Sequence, residues 1–420
     1  MPQIHVLPDL LVNKIAAGEV IERPASVVKE LIENSLDAGA KRIEITIEQG
    51  GRKLIRVADD GGGMDVDDLA LAVQPHATSK ITREEDLFGI RTMGFRGEAL
   101  PSIGAVSQLR IVSRQPSSDA AHEIRVTADR IELVTAASGP VGTTVEIREL
   151  FFNVPARQKF LRTPQTEMGH ITEQLARIAL VYPQIEFRLT HNGRPVHQLR
   201  PAGSVRERIA DFFGKEMSDS LLEVARDERG LKIHGYVGRP SDSRSSARWQ
   251  YFFLNGRYIR DRFVGHAVRE AYRGLMEAHR YPVVFLALEL PPDSVDVNVH
   301  PTKIEVRWRD SNMLYSQILS VIRDRFLNTD LTPGLMAVRS PQIADPTGEF
   351  SGDLLDTGTT AATGTDSEAE QRHREIRDSI ADFFKRNPRP VSPGFGEPPA
   401  IRSEYGAASP IAAYQPVGAV

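Results

Sequence analysis

From Pro24 to Gly39 the apolar residues Val28, Leu31, Ile32 and Leu36 recur at helical spacing, so one stripe of a helix is ready for burial. Pro24 suits the first turn, where a missing N–H costs nothing, and Gly39 lies just past the end. The period then changes to two. RIEITIE, around 43–48, and KLIRVAD, 53–59, alternate apolar and polar residues on either side of Gln49-Gly50-Gly51. Alternation around a glycine-rich break predicts a β-hairpin. Shorter alternating runs follow at Leu109–Val112, Ile124–Val126, Ile131–Val134 and Thr144–Ile147. Hairpin-linked strands beside helices predict an α+β layer over residues 1–204, since a parallel sheet needs a helix in each crossover.

Residues 205–331 read as a second unit. Strand-like LKIHGYVG and WQYFFLN precede a helical DRFVGHAVREAYRGLMEA, then VVFLALEL, VDVNV, IEVRW and a closing helix. That order predicts a small split α/β sandwich. Beyond Thr332 the texture changes, with Pro and Gly supplying 19 of the last 90 residues. Such a composition buries too little apolar surface to offset ordering entropy, so 332–420 is expected to be a disordered linker. Inside it, Ile376, Ile380, Phe383 and Phe384 fall at i, i+4, i+7 and i+8, which reads as a transient amphipathic helix.

Composition narrows the chemistry. A chain of 420 residues, 40% hydrophobic and 26% charged, is ordinary for a globular protein of two or three units. It has no cysteine, which removes disulfide frameworks, thiolate metal sites and cysteine nucleophiles and fits a reducing cytoplasm. The N-terminus carries Asp9, Lys14 and Glu19 without a long apolar core, so neither a signal peptide nor a membrane anchor is expected. The net charge of −4 hides an asymmetry: residues 331–420 hold 8 Lys/Arg against 12 Asp/Glu, leaving 1–330 balanced at 44 of each. Any surface for nucleic acid must therefore come from local clustering.

Several short motifs carry chemistry, each ambiguous alone. Glu30 and Asn34 are four residues apart and share a helix face away from the apolar stripe, which is commonly just a solvated face. Asp59 ends an alternating strand and is followed by Gly61 and Gly63. A carboxylate there can accept from an exocyclic amine while the glycines let a ligand approach the backbone, or the run can be a tight turn. HATSK, 76–80, offers hydroxyls and a lysine. MGFRGEAL, 93–100, is a glycine-rich loop opening a helix, where free N–H groups suit an anion. PVGTTVEI, 140–147, puts small hydroxyl residues at a strand start. Walker-A, dinucleotide G-x-G-x-x-G, H-E-x-x-H and G-x-S-x-G patterns are absent from the sequence.

The order E-x-x-x-N, D-x-G-x-G, GFRGEAL and G-T-T resembles the four ATP-site motifs of the GHKL superfamily, which groups gyrase, Hsp90 chaperones, histidine kinases and MutL. NKIAAGEVIERPASVVKELIENSLDAGA, HATSKI, GFRGEALPSI, FFNVPARQKFL and VDVNVHPTKIEVRW look specifically like the MutL mismatch-repair family over about residues 1–331. The resemblance implies a GHKL (Bergerat) ATPase sandwich, then a domain like the second domain of ribosomal protein S5, then a disordered tail. It implies ATP and Mg²⁺ as cofactors. Glu30 would be the general base for the water attacking the γ-phosphate, and Asn34 would help hold Mg²⁺. Asp59 would receive the adenine amine, with Gly61 and Gly63 leaving room and Thr143 supporting the base through water. Gly94, Phe95, Arg96 and Gly97 would form a lid over the phosphates, with Thr78, Ser79 and Lys80 nearby. Lys303, in NVHPTK, would reach the γ-phosphate from the second unit.

Arg262, His266, Arg269 and Arg273 fall at i, i+4, i+7 and i+11, after Arg257 and Arg260, and Arg157, Lys159 and Arg162 form another cluster. Spacing alone favours a solvated face. The resemblance makes Arg262, Arg269 and Arg273 candidates for sequence-independent DNA contacts. It further implies a MutS-type mismatch sensor and a downstream helicase or nuclease as partners, a homodimer formed through the N-terminal part when ATP is bound, and a bacterial cytoplasmic site. Two departures stand out. Pro75 precedes His76 where a basic residue is common, and the family's D-Q-H-A-type nuclease motif and C-terminal dimerisation domain are missing. Endonuclease activity and constitutive dimerisation are therefore not expected of these residues. An ATP-driven switch enzyme, a binding module that only reports nucleotide state, and a chaperone or topoisomerase subunit remain distinct readings, the last disfavoured by NVHPTK and GFRGEALPSI.

Overall fold

The computed structural model describes residues 21–80, 97–128, 130–291, 294–296 and 306–329. Lys303, Gly94, Phe95, Arg96 and the Ile376–Phe384 run lie outside them. Helix α1, Pro24–Asp37, starts on its proline, and Gly39 takes φ +76° just beyond its end. The chain then forms the hairpin of β1 (Arg42–Glu48) and β2 (Leu54–Asp59), with Ile45 opposite Val57. After the short α2 (Val66–Leu71) and α3 (Ala99–Ala105) come β3 (Gln108–Arg114), β4 (Ala121–Thr127), β5 (Arg130–Ile131), β6 (Thr135–Ala137) and β7 (Gly142–Arg148). Helices α4 (Pro155–Phe160) and α5 (Pro164–Val181) lead to β8 (Glu186–His191) and β9 (Arg194–Leu199).

These strands make one nine-stranded sheet ordered β5-β4-β3-β7-β2-β1-β8-β9, with β6 on β4. Its described pairings are antiparallel except β1 with β8. That is the α+β layer expected. One face carries Ile43, Ile45, Ile55, Val57, Ile111, Val145, Ile147 and Phe187, packed beneath Val28, Leu31 and Ile32 of α1 and Ile171, Leu175 and Ile178 of α5. The other face is wet and carries alternating charges such as Arg110–Glu123–Arg125 and Arg148–Glu146. An antiparallel sheet tolerates this one-sided burial, which is why its strands were legible as alternation.

Helices α6 (Val205–Phe213) and α7 (Lys215–Ser220) precede a five-stranded sheet of β10 (Leu222–Glu228), β11 (Leu231–Val237), β12 (Gln250–Leu254), β13 (Arg257–Ile259) and β14 (Val284–Glu289). The order is β10-β11-β14-β12-β13, with β12 parallel to β14 across helix α8 (Arg262–Ala271). The short pair β15 (Val295–Asp296) and β16 (Arg307–Trp308) and the closing α9 (Ser311–Leu327) follow. Around β12 and β14 both faces of this sheet are buried. Phe252, Leu254, Val284 and Leu286 pack on Val264, Ala267 and Val268 of α8 and Ile318 and Ile322 of α9. Tyr251, Phe253, Val283 and Phe285 face Ala176 and Leu180 of α5 and Ile209 of α6. WQYFFLN and VVFLALEL are continuously apolar for that reason.

Three sequence expectations need correcting. The run Ile131–Val134 is not one strand, since β5 ends at Ile131 and β6 begins at Thr135. Leu133 between them is 88% exposed, so no core enforces the alternation. The helix in DRFVGHAVREAYRGLMEA stops at Ala271. Buried Tyr272 donates its hydroxyl to the Gly238 carbonyl at 2.6 Å and Gly274 takes φ +80°, which turns the chain away. Finally, the 18-residue α5 and strands β8, β9, β10 and β13 had no place in the sequence reading. On α5, Ile171 and Leu175 face the first sheet while Ala176 and Leu180 face the second, so its apolar residues outgrow a single stripe.

Candidate functional site

Asp59 is the last residue of β2, and the sheet register sets Thr143 of β7 beside it and Ser113 of β3 beside Thr143. The three form a polar row at one end of the sheet. Asp59 Oδ2 accepts from the Ser35 hydroxyl of α1 at 2.8 Å, and Oδ1 accepts from the N–H groups of Gly61 at 3.0 Å and Thr143 at 3.3 Å. Thr143 Oγ1 lies 2.9 Å from Ser113 Oγ, which also accepts from the Met64 N–H at 2.8 Å. Burial raises the Asp59 carboxyl above its ordinary value, and the three hydrogen bonds only partly oppose it. Two glycines make the row possible. At Gly63, φ is +67° and a Cβ would sit 2.2 Å from the Arg114 carbonyl; at Gly142, φ is +108° and a Cβ would sit 2.0 Å from the Asp59 carbonyl.

The polar face of α1 supplies the rest. Lys29 Nζ lies 2.9 Å from Glu30 Oε1 and 2.8 Å from Glu33 Oε2. Burial raises the Glu33 carboxyl despite the opposing pull of Lys29. Asn34 Oδ1 accepts from Lys80 Nζ at 2.8 Å, and the same ammonium pairs with Asp37 Oδ2 at 2.6 Å. Thr78 Oγ1 accepts from the Lys80 N–H at 3.2 Å and fixes the approach of that lysine, while Ser79 is exposed beside it. Gly97 packs its backbone against Ala77 just before α3. One helix thus carries a carboxylate and an amide oxygen that meet lysine ammoniums, and through Ser35 it also grips the carboxylate at the sheet end.

The structure brings Asn34, Thr78 and Lys80 together at one end of α1 and gathers Asp59, Gly61, Gly63 and Thr143 at the sheet end. The sequence reading missed Ser35, Ser113, Lys29, Glu33 and Asp37. Ser35 follows Asn34 directly, so a signal existed there. Ser113 has only the strand register to reveal it.

On α8, Arg262, His266 and Arg269 are exposed while Val264, Ala267, Val268 and Ala271 are buried beneath them. Asp261 caps the helix, its Oδ1 accepting from the Val264 N–H at 2.8 Å. The Arg269 guanidinium lies over the Tyr281 ring at 4.8 Å, and exposed Arg273, past the helix end, pairs with Glu270 at 3.0 Å. Exposed Arg260 extends the surface. No helix among the described residues is long and apolar enough to cross a membrane.

Comparison with known proteins matches residues 21–140 to the histidine kinase-, DNA gyrase B- and HSP90-like ATPase family and 209–327 to the C-terminal domain of DNA mismatch repair protein. DNA mismatch repair protein MutL of Syntrophotalea carbinolica is 49% identical over 323 residues, covering 77% of this chain and 51% of that one. The MutL of Citrifermentans bemidjiense is 40% identical, covering 96% of this chain and 64% of that one. The chain therefore spans about half to two thirds of the length of these curated relatives. Among solved structures, the Aquifex aeolicus MutL ATPase domain complexed with ADP is 33% identical with a TM-score of 0.50, and 94% of it is covered. The N-terminal domain of a DNA repair protein is 27% identical with a TM-score of 0.65, and 98% of it is covered. The fold is that of the GHKL ATPases, and the chain belongs to the MutL family of DNA mismatch repair proteins.

Proposed function

We propose that the chain binds ATP across α1 and the β2–β7–β3 end of its first sheet, hydrolyses it, and uses the nucleotide state to control self-association and DNA binding in mismatch repair. The observation that carries this is the double engagement of α1: Ser35 holds Asp59, while Glu30 and Asn34 project from the same rigid helix. Base and phosphates are then read by one element, so binding one end aligns the other. Asp59 accepts the adenine amine, Gly61 and Gly63 admit the ring edge, and Thr143 with Ser113 supplies hydroxyls for bridging water. Glu30 orients the attacking water and takes its proton, which suits phosphoryl transfer, where positioning and charge neutralisation do most of the work.

Asn34 is the residue that would hold Mg²⁺. Its amide oxygen and the Asp37 carboxylate already converge on a cation, the Lys80 ammonium, and hard oxygen donors suit Mg²⁺. Bound there, Mg²⁺ would neutralise charge on the phosphates. Lys80, with Thr78 and Ser79, serves the phosphates. Gly94, Phe95, Arg96 and Gly97 close over them, and Lys303 from the 205–331 part senses the γ-phosphate.

In this reading residues 1–204 work as the nucleotide part and 205–331 as the DNA part of a bacterial cytoplasmic switch, which receives a signal from a MutS-type sensor and passes it to a helicase or nuclease. Light scattering of the full chain should give a monomer without nucleotide and a dimer with a non-hydrolysable ATP analogue. An unchanged mass at high protein concentration would remove self-association from the mechanism.

Arg262, Arg269 and Arg273 contact backbone phosphates in this proposal, so binding is salt-sensitive and indifferent to sequence. The double variant Arg262→Glu/Arg269→Glu should weaken duplex binding at least about tenfold and flatten the slope of log K against log salt by about 2. Fluorescence anisotropy over a salt series reads both. An unaltered slope would move the DNA surface elsewhere.

A further inference from the structure

Lys29 and Glu30 are neighbours in sequence, and adjacent helical residues diverge by about 100°, so their side chains do not normally meet. Here they do. Lys29 Nζ reaches Glu33 Oε2 one turn on at 2.8 Å, and from there it donates to Glu30 Oε1 at 2.9 Å. Glu33 is the anchor: its side chain is 11% exposed, against 31% for Lys29 and 27% for Glu30. Lysine placed N-terminal to glutamate at i,i+4 is the weaker order for supporting a helix, so helix stability does not account for the arrangement. Burial disfavours the Lys29 ammonium, yet the two carboxylates outweigh it and hold the amine above its ordinary value, so the cation stays charged.

We infer that Lys29 is a positioning residue for Glu30, an ammonium fixed by Glu33 that holds one oxygen of the catalytic carboxylate and leaves the other to water. This rests on the ATPase reading given above. A carboxylate tied at Oε1 loses rotamer freedom before substrate arrives, and small misplacements of a catalytic group are expensive in rate. Glu33 therefore acts at two removes from the chemistry, by keeping Nζ in place.

The test is steady-state ATP turnover and analogue binding by the full chain. Lys29→Met removes the tether but strands Glu33, so the double variant Lys29→Met/Glu33→Gln is measured beside it to avoid an unpaired buried charge. Both should lose about 30- to 100-fold in kcat, while KM and analogue affinity stay within about threefold. Lys29→Arg, which keeps a cation of similar reach, should recover turnover to within about fivefold of the parent. A folded double variant that turns over at the parent rate overturns the inference, and so does a Lys29→Arg as impaired as Lys29→Met. Glu30→Ala keeps the two levels apart. If Glu30→Ala is inactive and the Lys29 variants are normal, only the positioning role falls; if Glu30→Ala turns over normally, the ATPase assignment falls first.

Discussion

Glu30→Ala is expected to cut ATP turnover by about 10³-fold, within the range a general base contributes, while nucleotide affinity changes by no more than about threefold. The side chain is anchored through Lys29 on the polar face of α1 and takes no part in the hydrogen bonds that hold Asp59. Its removal should therefore spare base recognition. Phosphate release measured beside a fluorescent-nucleotide titration separates the two effects. The same pair of measurements tells a switch enzyme from a module that merely binds. A wild type that binds without turnover would make it the module, and a Glu30→Ala variant with normal turnover would show that another group is the base.

Asp59→Asn is expected to weaken ATP binding by about 10²- to 10³-fold, or about 3–4 kcal/mol, because the amide turns an N–H₂ group toward the adenine amine where an acceptor is needed. The fold should survive. An asparagine oxygen can still accept from Gly61 and Thr143, and Ser35, which also lies 3.1 Å from the Leu31 carbonyl, can donate there and accept from the new amide. The free protein should even gain slightly in stability at neutral pH. A carboxyl raised by burial is costly to ionise in the fold, so the native state holds its proton more firmly than the unfolded chain. Stability contributed at Asp59 is thus present at low pH and is lost as pH rises through the raised value. Urea unfolding of both proteins at pH 7 and below pH 5 should show the variant's advantage shrinking on acidification. A variant that unfolds far more readily than the parent at pH 7 would mean the Asp59 charge is structural and the affinity loss indirect.

Local rules made much of this molecule legible. The stripe on α1, the β1–β2 hairpin and Asp59 at a strand end are set within a few residues by side-chain period and turn chemistry. What stayed hidden depends on neighbours distant in sequence. Ser113 joins the site because three strands stand in register with Asp59, and Lys80 reaches Asn34 across 46 positions. Gly142 opens the G-T-T motif, but the need for a glycine there shows only once the Asp59 carbonyl is set against it. Lys29 was obscured differently: sequence adjacency to Glu30 argues against contact, and only the anchoring by Glu33 brings the two together. Helix α5 escaped notice because it serves two sheets at once, which erases the single stripe on which pattern reading relies.

That double service gives α5 a mechanical character. Toward the second sheet it presents Ala176 and Leu180 to a cluster in which Tyr251 and Phe285 stack at 5.3 Å, and the Arg177 guanidinium covers Tyr258 of β13 at 4.2 Å. Toward the first sheet it runs against α1. Close-packed interiors of this kind are stiff and pass strain on instead of absorbing it. β13 leads through Arg260 and Asp261 straight into α8, so only two residues separate the strand that α5 covers from the basic helix. In engineering terms α5 is a shaft keyed at both ends, seated at once on the helix that bears Glu30 and on the strand that leads into the basic helix.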